Sequence, residues 1–169
     1  MLRRRLITGP ILILVLLGLG WLDGVVASNT GRPGVVLAAL AAAVLIPLAA
    51  WEAASMFRAT GTRISIPVAV VSAELVYLLL LSAAQLATSS HAAGLAAVGP
   101  GVCLLLAFAA VLRDRRIEGG FTAVAATLAV AVWTGLLIGF WVLTAQTVGA
   151  PMTAGLILVV KAEIGRAHV

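Results

Sequence analysis

An all-α, polytopic transmembrane bundle of about six membrane-spanning helices, the last truncated, is the architecture to expect of this chain. Three features lead there. Hydrophobic residues make up 63% of the 169 residues and charged residues 10%, a balance that no water-soluble domain of this length needs. Apolar runs of the length that crosses a hydrocarbon core, roughly 20 residues, recur between short polar stretches. None of them alternates as a membrane β-strand would, so helices must satisfy the backbone hydrogen bonds in lipid.

The first run covers residues 7–26 and opens with Pro10 in its first turn, where a missing N–H does little harm. Residues 28–34, with Asn29, Gly31 and Pro33, read as a turn-rich outer loop. The second run, 35–57, contains Pro47 and should kink there. The third, 64–87, has Pro67 near its start, and Ser89, Ser90 and His91 mark an uncharged outer loop after it. In the fourth, 95–112, Pro100 should bend the outer end, and 113–120 is a polar inner loop. The fifth covers 121–144, and the sixth begins near Pro151 and is still apolar at Val160.

Arginine placement sets the orientation. Arg3, Arg4 and Arg5 precede the first run, Arg58 and Arg63 follow the second, and Arg113, Arg115 and Arg116 follow the fourth. The intervening loops hold only Arg32. Loops rich in Lys and Arg stay in the cytoplasm, so the chain should be a multi-pass protein of the inner (cytoplasmic) membrane with its N-terminus inside. The net charge of +5 sits in three short clusters without interleaved aromatics, which points to an anionic bilayer leaflet and not to nucleic acid. Cys103 is the single cysteine, which excludes an intrachain disulfide and a cysteine-built zinc site. The first run is long and lacks a clear cleavage site, unlike a cleavable signal peptide.

Residues 1–162 form one membrane-embedded region in this reading, and 163–169 a tail of non-native origin. Ile164-Gly165-Arg166-Ala167-His168-Val169 is the translation of ATC-GGA-AGA-GCA-CAC-GTC, a string that resembles the start of a common sequencing adapter. No role is therefore assigned to Arg166 or His168.

Chemistry is to be sought among polar groups inside the membrane. Glu74 lies mid-way along the third run and Lys161 about ten residues into the sixth. At about 1.5 Å rise per residue both fall roughly 15 Å below the outer boundary, near the midplane. A lone charge there costs several kcal/mol, so both should face the bundle interior. Either they form an ion pair, or Glu74 hydrogen-bonds internally in its neutral form while Lys161 belongs to a separate cavity. Glu52 beside Trp51, with Arg58 six residues on, reads as interfacial anchoring. Asp23 should cap the outer end of the first helix and meet solvent. Tyr77, Gln85 and Cys103 read as packing contacts, Trp133 and Trp141 as lipid-facing or core, and His91 as a lone loop histidine. Small residues are abundant, and Gly135 and Gly139 give a GxxxG spacing. That spacing favours intramolecular packing, with a homodimer as the alternative. No glycine-rich phosphate cradle, no Ser-His-Asp set and no acidic pair for magnesium is present, so no catalytic residue and no metal ligand is assigned.

The opening Leu2-Arg-Arg-Arg-Leu-Ile-Thr-Gly-Pro10, the stretch Leu48-Ala-Ala-Trp-Glu-Ala-Ala-Ser-Met-Phe57 and the run Gly155-Leu-Ile-Leu-Val-Val-Lys-Ala162 together resemble bacterial phosphatidate cytidylyltransferases, the CDP-diacylglycerol synthases. The resemblance covers the N-terminal and middle helices of that family. It implies transfer of a cytidylyl group from CTP to phosphatidate, with Mg2+ as cofactor and a polar cavity open to the inner side. The family's metal-binding Asp would fall at about position 164, where Ile164 stands, and its C-terminal signature beyond Val169. The catalytic part is thus expected downstream, and the chain alone is expected to be inactive. The rival reading is part of a multi-pass transporter or channel, which polar groups such as Glu74 and Lys161 would suit equally. A transporter predicts inverted symmetry between halves, and none is visible.

Overall fold

The structure, a computed structural model, describes residues 18–85, 91–113, 119–149, 152, 153 and 155. Among these residues every regular element is helical and no strand occurs. Helix α1 is seen over residues 18–30, followed by α2 (Val35–Ala59), α3 (Ile66–Gln85), α4 (His91–Arg113) and α5 (Gly120–Val148). Helices α2, α3 and α5 are long and apolar enough to cross a membrane, with 25, 20 and 29 residues and mean hydropathy of 2.1–2.2. At about 1.5 Å per residue even α3 spans ~30 Å, the thickness of a hydrocarbon core. The start of the first expected run, most of the sixth, Lys161 and the tail 163–169 lie outside the described residues.

Local chemistry explains the element boundaries. The kink expected at Pro47 takes the form of a π-helical turn, Ala41–Leu45, just before it. Pro47 has no N–H to donate, and its ring crowds the carbonyl four residues earlier. The widened turn absorbs this, and Ile46 N–H reaches back five residues to Ala41 O. At the end of α2 the Gly61 N–H donates to Arg58 O (3.0 Å) and the Thr62 N–H to Phe57 O (3.1 Å). This is a Schellman closure, and Gly61 supplies the positive φ of 88° that it needs. Helix α4 begins at His91, which the sequence placed in a loop, and it continues through Pro100.

The described residues divide into two compact units, one made of residues up to 39 together with those from 141 on, the other of residues 40–140. In the larger unit Val76 of α3, Cys103 of α4 and Ala131 of α5 form the buried cluster, flanked by Leu75, Leu128 and Leu136. Its interior holds many small side chains, Ala69, Ala73, Ala107, Ala123 and Ala126 among them, around a few large ones such as Tyr77 and Ile46. Phe121 is 82% exposed and Trp133 71%, so many bulky apolar groups point outward. Lipid is as apolar as leucine, so close backbone approach, not burial of large side chains, holds such helices together. Gly135 and Gly139 show this: a Cβ at Gly135 would stand 2.6 Å from Ala73 O, and one at Gly139 would stand 2.6 Å from Leu80 Cδ2. The GxxxG spacing thus packs α5 against α3 within the chain. The buried Thr127 and Thr134 hydroxyls donate to Ala123 O and Val130 O, one turn back.

The smaller unit corrects the expectation for Asp23. This residue is 2% exposed, not solvated. Its Oδ2 accepts the Gly34 N–H at 2.8 Å and its Oδ1 the Val36 N–H at 3.0 Å. The first turn of α2 has donors that no residue of its own helix can satisfy, and a carboxylate is well matched to that end of the helix dipole. Asp23 therefore caps the following helix. Leu37 and Ala145 form the apolar cluster of this unit, with Leu19 and Trp141 packed against it.

Candidate functional site

The α2–α3 loop brings together the most chemically distinctive surface of the described chain. Its Schellman closure turns residues 60–65 sharply, and Arg58 locks the turn by donating its Nε–H to Ile64 O at 2.9 Å. A cleft of about 780 Å³ opens there, lined by Arg58 and Arg63 from this segment and by Arg113 from the end of α4. Thr62 and Ser65 add hydroxyls, and no carboxylate lies among the described lining residues. Three guanidinium groups around one cleft make a natural anion site, since each is a planar fork matched to phosphate oxygens.

Two further clefts adjoin it. A polar one of about 400 Å³ is lined by Thr60, Gly61, Thr62, Arg63, Gly119 and Thr122. An apolar one of about 370 Å³ lies between α2 and α5, lined by Ala53, Met56, Phe57, Thr60, Ala129, Val130 and Trp133. Thr60 belongs to both of these, and Gly61, Thr62 and Arg63 belong to both the polar and the arginine-lined cleft. The loop therefore joins a cationic surface to an apolar groove.

Glu74 is half-buried in the middle of α3, and its Oε1 is buried with no hydrogen-bond partner among the described residues. Its expected partner Lys161 lies outside the described residues. Replacing Glu74 by leucine removes an acceptor without a donor, and is expected to raise the unfolding midpoint in detergent by roughly 2–4 °C. A loss of about 3 kcal/mol instead would reveal a buried cation, Lys161 first of all, left without its counter-charge.

The other expected residues are dispersed. Trp51, 60% exposed, and Glu52, also exposed, sit on the outer face of α2. Tyr77 and Cys103 are fully buried packing residues, with the Cys103 thiol 3.5 Å from Ser72 O. Trp133 lines the apolar groove, whereas Trp141 is half-buried. Among the described residues no group of three or more His, Cys, Asp or Glu converges on a metal-sized site. Both Asp23 oxygens are taken by backbone N–H groups, so Asp23 does not fit the Mg2+ that the resemblance implies.

Sequence reasoning used the arginines only as topology markers. Arg58 and Arg63 are close in the chain, but nothing local announces that Arg113 joins them from fifty residues away. Comparison with known protein families, curated proteins and solved structures finds no match to the chain.

Proposed function

We propose that this chain forms part of a membrane enzyme of the phosphatidate cytidylyltransferase type, embedded in the inner membrane by about six spans with its N-terminus in the cytoplasm. The reaction joins a phosphatidate phosphate oxygen to the α-phosphorus of CTP, releases pyrophosphate and yields CDP-diacylglycerol. The order of the three sequence stretches supports this reading, and the observation that carries it is the arginine-lined cleft. The Trp51-Glu52 segment runs directly into that cleft, whose size and charge suit a phosphate-bearing substrate. Its arginines bind and orient; the described residues supply no catalytic group.

The test is CTP-dependent conversion of phosphatidate by the purified full-length protein. Release of pyrophosphate in step with CDP-diacylglycerol is expected, and a pure, folded protein that makes neither would end the proposal. Reporter fusions test the orientation separately: residues 58–63 are expected inside and 88–93 outside. A transporter or channel is the second reading, favoured by the Glu74 oxygen in α3 that has no partner among the described residues.

A further inference from the structure

We propose that Arg58 is a positioning residue for Arg63: its guanidinium closes the α2–α3 turn so that Arg63 is presented to two adjoining clefts, where it meets a phosphate-bearing substrate. The identity of that substrate rests on the transferase reading. The division of roles between the two arginines goes beyond it.

The backbone around Arg63 is tied on both sides. Before it, the Thr62 N–H donates to Phe57 O at 3.1 Å. After it, the Ile64 N–H donates to Thr62 O at 3.0 Å, which closes a three-residue turn with Arg63 at its apex. The Ile64 side chain is 2% exposed, so this end of the turn is moored in the interior. The remaining tie runs from Arg58 Nε–H to Ile64 O at 2.9 Å. It links the last turn of α2 to a carbonyl two residues ahead of α3 and so spans the whole loop. Lysine does not reproduce this tie. Where arginine carries its Nε–H, lysine has a methylene, and its one nitrogen lies an atom further out.

Arg63 is placed for another task. It is exposed, and it is the charged residue shared by the arginine-lined cleft and the polar cleft beside it. A ligand that meets a side chain on an already ordered turn has less backbone to immobilise, so it binds more tightly. Loosening the turn at Arg58 therefore weakens binding through Arg63, although Arg63 itself is unchanged.

Equilibrium binding of phosphatidate and of CTP to the purified full-length protein in detergent tests this, together with amide hydrogen exchange. R63Q should weaken at least one of the two ligands by roughly tenfold, and R63K, which keeps the charge, should weaken it less. R58Q should weaken the same ligand by a similar factor, and R58K should be no better than R58Q. The Thr62 and Ile64 amides should exchange faster in both Arg58 variants and at the native rate in R63Q. Native exchange in the middle of α3 shows that the variants are folded. Recovery of binding in R58K makes Arg58 a charge contact and overturns the positioning role. Native protection of both amides in R58Q overturns it too, as does a loosened turn with native binding. Native binding by R63Q, or a native chain that binds neither ligand, overturns the part given to Arg63. No readout involves turnover. A protein that shows the expected pattern and makes no CDP-diacylglycerol therefore ends the transferase reading alone.

Discussion

Gly135→Leu is expected to push α5 away from α3 and lower the unfolding midpoint more than any other single change along α5. Even the first added carbon at that position would lie 2.6 Å from Ala73 O and 3.0 Å from Val76 Cβ. Ala73 O belongs to the backbone of α3, so relief requires the helices to move apart. Overpacking of this kind costs typically 1–3 kcal/mol, and leucine adds further atoms to the same contact. Gly139 provides an internal comparison. An added carbon there would meet the tip of the Leu80 side chain, also at 2.6 Å, and that tip can swing away. Gly135→Ala should therefore destabilise clearly more than Gly139→Ala in thermal unfolding of the detergent-solubilised protein. If the two are equally stable, the α3–α5 contact is wrong. If they also shift the particle mass from dimer to monomer, the GxxxG spacing returns to the role of a subunit seam.

The second large effect is expected at Asp23. Asp23→Ala would strip the buried Gly34 and the partly buried Val36 N–H groups of their acceptors. The loss of two charge-assisted bonds, one to a buried and one to a partly buried donor, should cost about 2–3 kcal/mol. Asp23→Asn keeps one side-chain oxygen and should recover part of this. Hydrogen exchange gives the specific readout: the amides of Gly34 and Val36 should lose protection in the alanine variant, while those in the middle of α3 should not. A variant with native midpoint and native protection at both amides would remove Asp23 from the cap.

Asp23 also shows where local inference runs out. An Asp near the end of a first apolar run looks like a solvated cap for that run, because helix ends and water usually coincide. Its actual acceptor role depends on α2 starting twelve residues later with no capping side chain of its own, since Gly34 stands just before it. Pro47 was more legible. A missing N–H has a consequence within one turn, and the π-helical turn Ala41–Leu45 lies where the chemistry requires an adjustment. The arginines were half legible. Their spacing along the chain carries a topological signal, but a cleft shared by Arg58, Arg63 and Arg113 depends on α4 ending beside the α2–α3 loop.

Helical character and a preference for lipid are written into this chain residue by residue, because both depend on the length and apolarity of each run, and these are local properties. Which face of each helix turns inward is a different matter. Helix α5 is apolar all round, and in lipid a leucine gains little by facing a neighbouring helix instead of an acyl chain. No periodic stripe therefore marks its inner face. Steric fit selects it: Gly135 and Gly139 admit α3 where larger residues would not. The same packing determines the acceptor for the first turn of α2 and the place where three arginines meet.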